Sequence, residues 1–453
     1  MAFRKEKDSL GEKLVPDKAY YGIQTLRAVE NFPISGFYLP PEMIAAIAKI
    51  KIAAARANID LKKLDKKKGS AIIKASSEIL EGKFDDHFPV DAFQAGAGTS
   101  SHMNLNEVIA NRACEILGGN KGDYNLVHPN DHVNMGQSTN DVIPTAMRIA
   151  ALPMAEKLLH EMKQLEDTFN KKGEEFKNII KSGRTHLQDA VPMALGNEFK
   201  AYGENVKRWR TRITRASESL EELGIGGSAV GSGINTQPRY RGKVVKYLGA
   251  ITGLNLKPAK DLFEAMQSMA PFTEVSGALK NFALDLVRIC NDLRLLSSGP
   301  RTGLSEIVLP PVQPGSSIMP GKVNPVIAEM TDMAAFQVIG NDLVISMAAQ
   351  AGQLELNVMM PVITFNLIFS LKILTGALSA LREKCVKGIK ANKETCKRYA
   401  ESSLGLATVL NPYIGYQAAA EVAKESYRTG KSIVDIIREK KLMDEEGIKK
   451  IFK

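Results

Sequence analysis

Met333–Ser370 reads MAAFQVIGNDLVISMAAQAGQLELNVMMPVITFNLIFS, with Asp342 and Glu355 as its only charged side chains. It lies in a longer apolar run, from about Ile327 to Leu381, that is greasy or small on nearly every side. A water-soluble helix with no polar face must be buried all round. Such a run predicts the inner helices of a bundle, one that subunits of an oligomer can share.

Outward from this run, helical spacing recurs and strand alternation is nearly absent. Between Asn140 and about Ile180 the apolar positions Ile143, Met147, Leu158, Met162, Leu165 and Phe169 fit long helices. Ser138, Thr139 and Asn140 precede them as good N-cap residues. The polar stretch KSGRTHLQDAVP reads as a turn-rich break, followed by helical pattern from about Gly196 to Leu223. The glycine-dense GIGGSAVGSGINTQP (224–238) is a second break, and another apolar-periodic run covers about Glu274 to Leu296. From about Gly388 the pattern is again polar and helical.

The 453 residues are 44% hydrophobic, 24% charged and only 6% aromatic, the balance of a soluble helical protein with a large core. The net charge is +10, yet lysines alternate with glutamates, as in KKGEEFK (171–177), and read as solvated helix faces. No aromatic-basic stripe points to nucleic acid. Cys114, Cys290, Cys385 and Cys396 form no CxxC pair, which fits reduced thiols and a cytoplasmic location. The apolar LNVMMPVITFNLIFSL (356–371) is interrupted by Asn and Pro, so no membrane span is expected.

Four loops carry the candidate chemistry. GSSIMPGKVNP (315–325) resembles a phosphate loop, but five residues separate its glycines and Val323 stands where a magnesium-binding hydroxyl is needed. The GIGG run follows a helical pattern, whereas a dinucleotide fingerprint follows a strand. His128 and His132 have Pro129 between them and make a poor metal pair, so no metal or other cofactor is expected. GAGTSSHMNLNE (96–107) and GQSTND (136–141) are dense in hydroxyl and amide groups just ahead of helical pattern, where helix N-termini favour anions. With the histidine of GRTH (183–186) and the lysine of GSSIMPGKVNP, these loops supply what a small dicarboxylate requires: several neutral donors and a cation.

At these residues the sequence resembles the aspartase/fumarase superfamily. GSSIMPGKVNP looks like that family's eleven-residue signature, and the likeness runs from AYYGIQTLRAVENF (19–32) through HPNDHVNMGQSTND and GRTHLQDAVPM to NPYIGYQ (411–417). AYYG, GAGTS and QSTND are similar to the aspartase branch, where fumarases tend to show a Trp after the Tyr, GTQ and SSND. The resemblance implies a mostly α, three-domain fold, divided as 1–138, 139–390 and 391–453. It also implies a long central helical bundle shared in a homotetramer, with active sites built from three subunits. The implied reaction is reversible release of ammonia from L-aspartate to give fumarate, with hydration of fumarate to L-malate as the alternative. Carried over by motif, Ser316 is the base. Thr185, Lys322 and Asn324 hold the α-carboxylate; Thr99, Ser138, Thr139 and Ser317 hold the β-carboxylate; Asn140 and His186 attend the amino group. One neighbour departs from the pattern: His102 stands where relatives usually have Asn, and an imidazole is larger and able to carry charge near neutral pH.

Overall fold

The computed structural model describes residues 2–451 and is dominated by helices. An N-terminal hairpin, β1 (Phe3–Asp8) and β2 (Gly11–Pro16), leads into α1 (Ile23–Asn31), α2 (Pro41–Asp60), α3 (Lys66–Leu80) and α4 (Thr99–Ile116). Then come α5 (Thr139–Glu175), the hairpin β3 (Ile180–Thr185) and β4 (Gln188–Ala194), and α6 (Leu195–Glu218). Two short paired strands, β5 (Glu222–Leu223) and β6 (Lys257–Pro258), bracket α7 (Tyr240–Thr252); α8 (Leu262–Gln267) and α9 (Ala270–Leu296) follow. After β7 (Ile307–Val308) stand α10 (Val326–Gln350) and α11 (Met360–Lys384), then β8 (Lys390–Ala391), α12 (Lys393–Ser402), α13 (Asn411–Ile414), α14 (Tyr416–Thr429), α15 (Ile433–Glu439) and α16 (Glu445–Ile451).

The chain forms two compact units. One comprises the stretch ending at Leu159 with Thr211–Ala283 and Phe336–Thr375; the other comprises His160–Arg210, Leu284–Ala335 and the stretch from Gly376. In the first, α2 begins with proline at its first turn, where the missing N–H is no loss, and its alanines and isoleucines pack on α3 and α7. In the second, Leu406, Leu410, Val422, Ile433, Ile436, Ile437 and Ile448 build a small core among the C-terminal helices.

Several sequence expectations change in the structure. KSGRTHLQDAVP is not a bare turn: it forms most of the β3–β4 hairpin, with Thr185 paired to Gln188. The greasy run is two helices, broken at 351–359. It is also not buried on all sides within the chain, because α10 leaves Met333, Phe336, Gly340, Leu343 and Met347 exposed. Their alternating three- and four-residue spacing is that of a coiled-coil seam.

The expected interruption of LNVMMPVITFNLIFSL also fails, since Pro361 sits in the first turn of α11 and leaves it continuous. Met360–Gly388 is thus long and apolar enough to cross a membrane by length and composition. Its Thr364, Asn366 and Ser370 are buried, and each side chain donates to a backbone carbonyl one turn earlier. Ser370 also accepts from Asn341 of α10, which marks a helix packed on protein.

Candidate active site

The first unit builds a polar nest where the starts of α4 and α5 meet. Ser138 caps α5: its Oγ accepts from Asn140 N at 3.2 Å, while its own N–H donates to the Asp141 carboxylate at 3.0 Å. This reciprocal pair is a capping box, with Asp in the place of the usual Glu. The other Asp141 oxygen accepts from Gly226 N (3.0 Å) and Ser228 N (2.9 Å), which explains the glycine-dense segment. Gly226 has φ +92°, and a Cβ there would come within 2.9 Å of Arg241 Cβ. Asp141 is fully buried, and burial pushes its pKa up to about 6, against the backbone N–H bonds that lower it. Asn140 donates from Nδ2 to Ala229 O at 2.8 Å, which leaves Oδ1 as an acceptor for a ligand.

Behind Thr139 lies a group that the sequence reading missed. Lys51 of α2 is fully buried, its Nζ 2.7 Å from His102 Nε2, 3.0 Å from Asn134 Oδ1 and 2.9 Å from Gln137 Oε1. His102 Nδ1 in turn lies 2.8 Å from Thr139 Oγ1. His102 is thus no surface imidazole that charges near neutrality: burial, and then the Lys51 charge, hold its pKa well below the usual value. Thr99 stands one helical turn before His102, at the start of α4. Thr99, Ser138, Thr139 and Asn140 therefore lie in one region. The only sequence signal for Lys51 is a lysine among the alanines and isoleucines of IAKIKIAAA (47–55).

The second unit carries the other expected residues in two places. His186 and Leu187 form the tip of the β3–β4 hairpin, at φ +55° and +59°. Left-handed conformation at both positions is the I′ turn, which favours Asn-Gly, so the tip is strained. Thr185, His186 and Leu187 are exposed. The hairpin is fixed from beneath by charge. Glu306, fully buried, pairs with Lys181 at 2.9 Å and Arg184 at 2.9 Å, and Lys181 also reaches Glu198 at 2.7 Å.

The loop from Pro311 to Pro325 closes on itself. Gly315 N donates to Lys322 O at 2.7 Å, and Asn324 Nδ2 donates to Gly315 O at 2.6 Å. Ser316 Oγ accepts two backbone N–H bonds, from Ile318 (3.2 Å) and Met319 (2.9 Å). Ser317 and Lys322 are exposed. Ser316 and Lys322 line a cavity of about 430 Å³ within the loop. A larger cavity of about 600 Å³, in the first unit, is lined by Lys7, Arg27, Tyr124 and His128 among others, and by none of the expected site residues. Among the described residues no group of three or more His, Cys, Asp or Glu side chains could hold a metal ion.

Residues 11–340 match the family described as "Lyase", and residues 406–453 match the family described as "Fumarase C C-terminus". The chain is 52% identical to the aspartate ammonia-lyase of Bacillus subtilis (strain 168), covering 98% of this chain and 94% of that one. It is 49% identical to the aspartate ammonia-lyase of Helicobacter pylori (strain ATCC 700392 / 26695), covering 99% and 97%. Among solved structures, "fumarate lyase:delta crystallin from Brucella melitensis bound to cobalt" superimposes with a TM-score of 0.96 at 48% identity, covering 99% of this chain and 98% of that one. The recombinant class II fumarase of Schistosoma mansoni gives 0.96 at 38% identity, covering 100% and 98%. Sequence, fold and site motifs agree: the chain belongs to the lyase family of the aspartase/fumarase superfamily.

Proposed function

We propose that the protein is an aspartate ammonia-lyase that interconverts L-aspartate with fumarate and ammonia. The observation that carries this reading is the likeness, over nearly the whole chain, to relatives named aspartate ammonia-lyase. Every residue type expected of the site is present.

Ser316 takes a proton from the carbon beside the β-carboxylate, and ammonia then leaves the adjacent carbon. The intermediate is a doubly charged aci-carboxylate. Thr99, Ser138, Thr139 and Ser317 hold it, each preorganised donor contributing about 2.7–4 kcal/mol. Thr185, Lys322 and Asn324 hold the α-carboxylate, while Asn140 Oδ1 and His186 receive the amino group. A serine is a weak base until its oxyanion is stabilised. The two backbone N–H groups on Ser316 Oγ support that role. Closure of the loop over the substrate completes the site and excludes water.

The apolar seam on α10 supports an oligomer. The family likeness supports a homotetramer with sites shared between copies and a central bundle within residues 139–390 flanked by segments 1–138 and 391–453. The four free, buried cysteines fit a cytoplasmic location. The substrate is a small dicarboxylate; neither nucleic acid nor membrane is a partner.

Hydration is the second reading, supported by the class II fumarase likeness. Ultraviolet detection of fumarate separates the two. Fumarate from L-aspartate and none from L-malate is the expected result. Fumarate from malate alone would transfer the protein to the hydratases.

A further inference from the structure

Lys51 and His102 are buried, make hydrogen bonds in series, and end on a hydroxyl at the mouth of α5. A hydrogen-bonded chain of this kind has a direction. An ammonium has three protons and no acceptor. Around Lys51 Nζ there are three acceptor atoms: Asn134 Oδ1, Gln137 Oε1 and the Nε2 edge of His102. If Nζ donates to all three, His102 Nε2 must be bare and the ring proton sits on Nδ1. Nδ1–H then donates to Thr139 Oγ1, whose own proton is left to point at a ligand. If Lys51 were a neutral amine, the series would reverse: Nε2–H would donate to Nζ, and Nδ1 would take the Thr139 proton. Thr139 would then face a carboxylate with lone pairs alone.

We propose that Lys51 and His102 are positioning residues that fix the direction of the Thr139 hydroxyl, so that it donates to the substrate carboxylate. This rests on the reading of Thr139 as a carboxylate-holding residue. Geometry supports the donating direction, because three acceptor atoms stand within 3.0 Å of Nζ. Burial disfavours charge on both Lys51 and His102, and the Lys51 charge lowers His102 further, so the two are not charged together. The Asp141 carboxylate at the start of α5 favours the Lys51 ammonium, in opposition to the larger effect of burial. The carboxamide oxygens of Asn134 and Gln137 favour the ammonium in the same way.

Two measurements test the assignment. The first uses the unaltered protein: ¹⁵N NMR of histidine-labelled enzyme near neutral pH, with the His102 signals identified by their loss in His102→Asn. The expected spectrum has a protonated Nδ1 and a bare Nε2; an Nε2–H tautomer or an imidazolium overturns the proposal. The second is a double-mutant cycle on kcat/KM for fumarate formation. Thr139→Val is expected to lower kcat about 10²-fold, as for loss of an oxyanion donor. Lys51→Met alone should lower kcat roughly 10–100-fold, as for loss of an outer partner that orients an imidazole, with little change in KM. In the Thr139→Val background the same Lys51 change should shift kcat/KM by less than about twofold. If Lys51→Met does not fold, His102→Phe replaces it in the cycle. Additive losses overturn the proposal while leaving Thr139 as a substrate contact. A Thr139→Val enzyme of normal turnover overturns the substrate contact as well. Wild-type protein silent with aspartate overturns the proposed function and leaves the tautomer result standing.

Discussion

The start of α5 and the loop from Pro311 to Pro325 offer similar chemical groups, hydroxyls and amides with a lysine, yet they hold them in opposite ways. At α5, Lys51 and Asp141 are fully buried, and their polar atoms meet partners drawn from α4, the 134–137 turn and the glycine-dense segment. In the loop, Ser316 and Gly315 bond only to residues of the loop itself, and Ile318 is 83% exposed. On the proposed assignment of these residues, the difference is a division of labour. A carboxylate-holding nest gains from being rigid before substrate arrives, because its dipoles then need no reorganisation. A base that must be enclosed with its substrate gains from a segment that opens cheaply.

The strongest way to break that comparison is Ser316→Ala. Turnover is expected to fall roughly 10²–10⁴-fold, the usual worth of a positioned base, while the affinity for a dicarboxylate inhibitor such as succinate stays close to wild type. Near-normal fumarate production would remove Ser316 from the mechanism. Next in size is Asp141→Ala, which leaves three backbone N–H groups without their acceptor. At about 1 kcal/mol or more for each orphaned donor, chemical denaturation should show a loss of about 3 kcal/mol or more. A loss well below this would mean the nest is not rigid.

Gly321→Ala sharpens the contrast from the loop side. Gly321 has φ +77° and open space where a Cβ would stand, so only backbone strain of about 1 kcal/mol is added. Because the loop is exposed, the global melting temperature should hardly move while kcat/KM falls. A clear drop in melting temperature would show the loop to be part of the packed structure. The smallest expected effect concerns acid. Glu78 is lowered in pKa by its hydrogen bond to Arg112, against the raising effect of burial. Its contribution to stability is present above the ordinary glutamate value and is lost as pH falls through the lowered one. Glu78→Gln should therefore lower the denaturation midpoint near neutrality and converge with wild type in acid, which flattens the fall on the acid side.

Much of this was legible in the sequence for reasons that can be named. Ser138 and Asn140 ahead of an apolar period placed the start of α5 within a residue, because capping is local chemistry. The apolar run at 327–381 announced a bundle, but its division into α10 and α11 was hidden, since the break at 351–359 is itself weakly polar. The β3–β4 hairpin escaped because Lys181 and Arg184 of β3 are held by Glu198 and Glu306, which lie outside the hairpin, and not by alternation. Lys51 and Asp141 escaped for a similar reason: their partners are carbonyl, amide and imidazole atoms that tertiary folding alone assembles. His102 was visible as an oddity, while its neutrality followed only from burial.

The hairpin tip has a further consequence for anyone who would improve this protein. His186 and Leu187 occupy two adjacent left-handed positions for which Asn-Gly is the stable choice. A selection for heat resistance alone would accept that replacement and discard the imidazole with it. Screens on this scaffold should therefore score product formation alongside survival, with these two codons held fixed until their separate effects are known.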